Sequence, residues 1–332
     1  MATIKDVAKR TGLSLSTISK YLNGGNVREE NRAAIDAAVR ELDYSVNVLA
    51  RSLKATRSRT IGELLPTHSS PFFGRVVTEM EPLLRQSGYE CFICSYDFDR
   101  TQELEKLEFL ARYHVDGIVY VPQATDFSEV RARVGRTPVI LLDRTMDGAD
   151  CDTVVVDNLN AVYVGVEHLI GRGHRRIGLI AGPQNISTAR ERAIGYRRVL
   201  EDYCLPVDEM LIAAGNYDLE SGSRLFRALL DLPQPPTAMF VTNYDMTIGA
   251  LMAAHERGVR LPEDLDFIGY DNVELFSILS PRLEIVEQPT SEIARRAAEL
   301  LIARLSGDQS PARLLRLKAR ITTTSNLPER DH

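Results

Sequence analysis

Apolar positions follow two rhythms along this chain. From residue 4 to residue 42 they recur at helical spacing, and from residue 60 onward short Val/Ile/Leu runs alternate with amphipathic stretches. Ile4, Val7 and Ala8 share one helical face, opened by a Thr3 hydroxyl with the Asp6 carboxylate three residues on and closed at Thr11-Gly12. Ser14 caps a second helix almost at once, with Ile18 and Leu22 one turn apart on its inner side. Two short helices joined by so tight a Gly-containing turn must cross steeply, which predicts a helix-turn-helix. After Gly24-Gly25 a third helix starts with Glu29 and Glu30, which suit its dipole, and Ile35, Ala38, Val39 and Leu42 close the bundle.

The second rhythm predicts strand 61–65 with helix 73–86, strand 89–96 with helix 104–113, strand 117–121 with helix 127–134, and strands 139–142 and 154–156. A second series follows: helix 159–171, strand 177–181, helix 188–203, strand 211–214, helix 219–231, strand 238–242, helix 246–257 and strand 266–270. Pro82 should kink its helix or remove one hydrogen bond. Near-continuous apolar strands between helices mean parallel sheets covered on both faces. The predicted class is α/β: an N-terminal all-α helix-turn-helix domain followed by two doubly wound parallel-sheet lobes, with ligand at the strand C-termini.

Length and charge agree with this division. A chain of 332 residues exceeds one core of average size. Residues 1–59 hold 11 Lys/Arg against 6 Asp/Glu, whereas the remainder holds 29 against 40, so the basic first piece is the one suited to a polyanion. Cys91 and Cys94 form a C-x-x-C in what reads as a buried strand, where a three-residue separation puts the sulfurs on opposite faces; they read as core cysteines. There is no second Cys or His pair at zinc-finger spacing, no apolar leader and no bilayer-length run, so a cytoplasmic location without membrane contact is expected. Gly182-Pro183 is not a P-loop, no G-x-S-x-G elbow occurs, and the histidines, His168 and His174 among them, read as surface or turn residues. Neither catalysis nor a cofactor is expected.

The second helix carries the chemistry. Its outward residues are small or hydrogen-bonding: the hydroxyls of Ser14, Thr17 and Ser19 and the helix N-terminus can hold phosphates, and Leu15, Ser16 and Lys20 can reach base edges of double-stranded DNA. The competing reading is a small bundle that only holds proteins together. Residues 44–54 are too short for a stable helix in water and would need something to order them; 54–60 reads as a linker.

Residues 3–8, the turn from Leu13-Ser14 to Thr17-Ile18-Ser19, and Asn47 with Ala50-Arg51-Ser52-Leu53 resemble the lactose-repressor/galactose-repressor (LacI/GalR) family of bacterial transcription regulators, and the resemblance continues in order along the chain. It implies a homodimer on a palindromic operator, with a hinge helix in the minor groove and Leu53 wedged into the central base step. Thr3, Asn23, Tyr44, Asn47, Ala50 and Lys54 complete the implied DNA-facing set. Where the family usually has Pro, this chain has Val46; Lys20 replaces a frequent Arg or His, and Arg28 a Ser-like cap. The implied domains are 1–45 (helix-turn-helix), 46–59 (hinge and linker) and 60–332 (effector binding and dimerisation). In the last, an N-lobe takes about 60–157 and 284–320, and a C-lobe about 158–283 and the C-terminal strand. Without a C-terminal leucine heptad, a dimer rather than a tetramer is expected.

Polar and aromatic residues after strands are the crevice candidates: Phe72, Phe73, Asp143, Thr188, Arg192, Tyr217, Asn243, Asp271 and Gln288. Each has a plainer reading, since Asp and Asn after strands also cap helices and Phe72 or Phe73 can plug the core. The set matches positions through which family members hold effectors, and carboxylates, an amide and an Arg together suit a polyhydroxylated ligand, a sugar or sugar acid. Ile186 stands where purine-binding members carry Arg, which weakens a nucleobase alternative. A protein co-repressor, a transporter's solute-binding protein and a sugar-modifying enzyme on the same fold are the other readings.

Overall fold

A computed structural model describes residues 2–22, 25–44, 57–123, 126–271 and 283–323. Contacts divide the chain into Met1–Arg59 and Thr60–His332. In the smaller unit, α1 (Ile4–Thr11), α2 (Leu15–Leu22) and α3 (Glu29–Glu41) surround a core of Val7, Ile18, Ile35 and Ala38. The Asp6 carboxylate accepts from both the Thr3 backbone N–H (2.8 Å) and the Thr3 hydroxyl (2.7 Å), which holds Asp6 below the usual carboxylate pKa. Gly12 ends α1 in the left-handed region, at φ 68°, where other residues are strained. Ser14 Oγ accepts from the Thr17 N–H at 3.2 Å and so caps α2.

The larger unit contains two sheets of the same plan. The first, in order β11-β5-β4-β3-β1-β2, comprises β1 (Thr60–Leu65), β2 (Glu90–Ser95), β3 (Gly117–Tyr120), β4 (Val139–Leu142), β5 (Asp152–Val156) and β11 (Leu314–Leu317). The second, in order β12-β10-β9-β8-β6-β7, comprises β6 (Ile177–Ala181), β7 (Ile212–Ala214), β8 (Ala238–Val241), β9 (Asp266–Tyr270), β10 (Glu284–Glu287) and β12 (Arg320–Thr323). All neighbours are parallel except β10 and β12. Helices cover both faces of each sheet. In the first lobe, α4 (Pro71–Gln86) and α11 (Thr290–Leu305) oppose α5 (Arg100–Arg112) and α6 (Phe127–Val134). In the second, α7 (Asn158–Gly171) and α8 (Ser187–Asp202) oppose α9 (Leu219–Leu230) and α10 (Tyr244–Arg257). A Cβ on Gly249 would lie 2.0 Å from the Leu219 carbonyl oxygen, so glycine there is what lets α9 and α10 pack backbone to backbone.

The periodicity placed these elements closely, and where it missed, a local reason is visible. Helix α5 begins at Arg100, four residues before the expected start, because Asp99 accepts from the Thr101 and Gln102 N–H groups at 2.7 and 3.0 Å. Helix α4 continues through Pro82. The expected return to the first lobe at about 284 needs correction: 284–287 pairs with β9 and extends the second sheet, and the chain recrosses between β10 and α11. Strand β2 is likewise no buried strand but a sheet edge, with Phe92 and Ile93 more than 40% exposed. Cys91 and Cys94 do face opposite sides, packing against different clusters, but both are only half-buried.

His168 is exposed and His174 follows a turn, as expected, and both also face carboxylates. His168 meets Glu284 at 3.2 Å, His174 meets Asp266 at 3.2 Å, and Arg172 bridges the two carboxylates at the base of the second lobe.

Candidate effector cleft and nucleic-acid interface

The smaller unit presents one polar face. Leu15, Ser16 and Lys20 are exposed on α2, and Ser14 Oγ lies 2.8 Å from both the Ser16 and Thr17 hydroxyls. A groove runs from Ser16, Thr17 and Lys20 to Asn26, Arg28 and Asn31 before and within α3, combining hydroxyls, amides and two cations. Such a face offers phosphate donors around a helix whose leading residues stand free to enter a groove. Ser19 is half-buried, and Thr3 is exposed but engaged with Asp6. Tyr44 is half-buried and packs in part against the bundle core. Asn23, Asn47, Ala50, Leu53 and Lys54, with the segment expected to form the hinge helix, lie outside the described residues.

In the larger unit all nine crevice candidates line one cleft of about 490 Å³, part of it open to solvent, between the two sheets at their strand C-termini. The two lobes furnish it by repeating one device. After the fourth strand of each sheet stands an aspartate with positive φ, Asp143 at 63° and Asp271 at 74°. Each backbone N–H donates to the next strand, Asp143 to Val154 O at 3.0 Å and Asp271 to Val286 O at 2.8 Å. Such conformations are costly for residues other than glycine and concentrate at functional sites.

Arg192 is almost fully buried. Its Nε donates to Asn158 Oδ1 at 2.8 Å, one terminal nitrogen donates to Thr242 O at 2.5 Å, and the guanidinium lies 3.9 Å from the Tyr270 ring centroid. These contacts fix its plane and leave its remaining donors to the cleft. Gln288, at the second crossing, donates to the Asp271 carboxylate, and its own buried Oε1 has no partner among the described residues. Burial pushes the Asp271 pKa up to about 6, against the opposing pull of Arg192 and Gln288. Asn243 caps α10 by accepting from the Met246 N–H at 3.1 Å and still lines the cleft, so both readings hold for it at once. Tyr217 is seated by Gly182: a Cβ there would come within 2.1 Å of its ring. Phe72 and Phe73 meet edge to face at 5.2 Å, their rings joining the core and the cleft wall.

Thr67, Ser70, Phe98, Arg144 and Asp245 also line the cleft and were not singled out from the sequence. The internal repeat would have found Phe98, which follows β2 as Tyr217 follows β7; their φ angles are 58° and 62°. Arg144, nearly buried, donates to Pro122 O at 3.0 Å and lies 3.4 Å from Asp143. Burial raises the Asp245 pKa. A bridge between lobes runs from the Thr145 N–H to Ser187 Oγ at 3.2 Å.

These features define a class: a two-lobed small-molecule clamp joined in one chain to a helix-turn-helix. Residues 3–47 match the family described as bacterial regulatory proteins, lacI family, and residues 58–318 match periplasmic binding proteins and sugar binding domain of LacI family. The chain belongs to the LacI family and is a DNA-binding transcriptional regulator with a ligand-binding domain. It is 33% identical over 308 residues to the HTH-type transcriptional repressor CytR of Escherichia coli (strain K12), covering 92% of this chain and 90% of that one. Among solved structures, the CelR–cellobiose complex matches with TM-score 0.73 and 28% identity over 97% of this chain and 99% of that one. A LacI family regulator from Enterococcus faecium with bound ribose matches with TM-score 0.73 and 27% identity over 80% of this chain and 97% of that one.

Proposed function

We propose that this protein is a homodimeric repressor whose hold on a palindromic operator is set by a neutral sugar bound between its lobes. The convergence of nine expected residues on one cleft carries the reading. Carboxylates from opposite lobes, Asp143 and Asp271, accept from ligand hydroxyls; Arg192 and Asn243 donate; Phe72, Phe73 and Tyr217 cover the apolar face of a ring. Two of the Arg192 donors are already committed to Asn158 and Thr242, and acidic groups outnumber basic ones around the cleft; this favours a sugar over a sugar acid. The sugars bound by the CelR and Enterococcus faecium structures support the class. Ile186, buried at the start of α8, offers a nucleobase no donor.

In this reading residues 1–45 read DNA, 46–59 form the hinge with Leu53 as the wedge, and 60–332 sense the ligand. The helix-turn-helix argues against a transporter's solute-binding protein, and no group in the cleft is assigned a catalytic role; the protein works in the cytosol, where its operator lies. Calorimetry against a panel including D-ribose, D-xylulose, cellobiose and adenine tests the ligand, and selection of DNA from a random pool tests the operator. Binding of a sugar that alters operator affinity supports the reading; turnover of a sugar, or binding of adenine alone, overturns it.

A further inference from the structure

Outside the cleft, one buried ionisable group has no evident structural role. Glu63 is the fourth residue of β1 in the first lobe; its exposure is zero, and among the described residues no N–H or O–H donor reaches either carboxyl oxygen, the weakly donating Cys91 thiol being its hydrogen-bonding neighbour. Ile61 and Leu65, two residues to either side, belong to the cluster under α4 and α11, so the alternation of a strand points Glu63 the same way. The titratable groups that act on it are Cys91, on the neighbouring edge strand β2 and flanked by Glu90, and Glu81 on α4, itself paired with Arg85. What α4 and α11 otherwise bring to this face is apolar: Val76, Val77, Met80 and Leu84 from one, Ala294, Ala297, Ala298 and Leu301 from the other.

A carboxylate placed there would be a charge without a counter-ion, beside a second carboxylate, in a medium that cannot solvate it. The cheaper state is the neutral acid. Relief, once the proton leaves, requires water to enter between β1, the exposed edge β2 and α4. Helix α4 is weakest there, because Pro82 supplies no N–H to the turn before it. The opposite end of the same helix carries Phe72 and Phe73 into the cleft.

We propose that Glu63 is a proton-binding site that regulates this protein: α4 packs fully on the first lobe only while Glu63 is protonated, and its ionisation loosens the helix that holds Phe72 and Phe73. The direction fits the surroundings, since burial raises the Glu63 pKa from 4.5 to about 7, with Glu81 adding to the effect and Cys91 opposing it. A carboxyl whose folded pKa exceeds its unfolded one binds its proton more tightly when folded. Its contribution to stability is therefore complete below about 4.5 and is lost as pH rises to about 7. The regulatory consequence, weaker ligand retention above neutral pH, rests on the cleft being the effector site.

The test compares the full-length protein with Glu63→Gln, and with Glu63→Leu in case the amide is poorly accommodated. Without ligand, the wild type should lose thermal stability between pH 5 and 7.5, show faster intrinsic-rate-corrected amide exchange in 71–86 at pH 8 than at pH 6, and display a protonated-carboxyl infrared band at pH 6. Both variants should weaken the band to what Asp271, with its own raised pKa, contributes, and should flatten the other two profiles above pH 6. Identical profiles in wild type and variants overturn the proposal. A second arm measures D-ribose affinity, expected to fall by up to about tenfold per pH unit through neutrality in the wild type alone. Absence of binding at every pH by D-ribose, D-xylulose and cellobiose alike would count against the cleft reading, while the ligand-free arm still decides the role of Glu63.

Discussion

Under the proposed function Arg192 has a structural and a binding role at once. Its Nε and one terminal nitrogen hold Asn158 and Thr242, so Arg192→Ala should cost about 2 kcal/mol of stability and, beyond that, abolish sugar binding in calorimetry. Retained binding would remove it from the site. Arg192→Lys should recover part of the stability but not the affinity, because an ammonium cannot keep both fixed contacts and still offer a planar fork. Asp271 carries a pH prediction. With its pKa pushed up to about 6, it is the ionised acceptor only above that value, so sugar affinity should fall as pH drops through about 6. Asp271→Asn should flatten the acid limb; an unchanged limb would show that another group titrates. The sign for stability is opposite: the raised pKa means that this group's contribution is lost as pH rises from its ordinary 3.8 to about 6.

At the scale of elements, the short helices depend on their ends. Ser14 caps α2 and keeps its hydroxyl within 2.8 Å of Ser16 and Thr17, so Ser14→Ala should lower stability of the N-terminal unit by about 1 kcal/mol and loosen the leading turn. Operator affinity should fall with it; an unchanged melting curve of the N-terminal unit would contradict the capping role. Leu53→Ala, from the family-implied hinge, should weaken operator binding while leaving sugar binding nearly intact, and equal loss of both would count against a wedge. The caps themselves were legible in the chain, because a cap is a relation between residues three apart. The edge position of β2 was not: its Cys91–Cys94 run has the same apolar composition as a central strand, and only its lack of a second neighbour exposes Phe92 and Ile93.

Under the proposed function the whole molecule couples a ligand to an operator. The lobes are joined by three crossings, after β5, β10 and β11, so closure about a ligand must turn all three together. Arg316 of the first lobe pairs with Glu191 of the second at 2.9 Å, one of the contacts that a change in lobe angle would reset. If the sugar shifts operator affinity by some factor, the operator must shift sugar affinity by the same factor, and measuring both closes a thermodynamic cycle. Inequality of the two would mean that a third ligand or a change of oligomer is involved. Operator binding should also weaken steeply with salt, log K falling by about 0.9 per decade for each phosphate contact. A flat salt response would exclude the polar face of α2 as a phosphate surface.

What the sequence determined by itself was whatever depends on neighbours along the chain: helix starts at Thr3 and Ser14, the stop at Gly12, the alternation of strands and helices, and the residue types that end each strand. Tertiary structure decided what depends on residues far apart. Asp143 and Asp271 are separated along the chain by a whole lobe and face one cleft only because both sheets repeat one strand order. Residues 284–287 extend the second sheet rather than the first because β9 offers them its open edge. Glu63 looks like any polar residue in a strand until helices close over both faces of its sheet; in a parallel sheet so covered, alternation no longer gives a side chain an outside to point to.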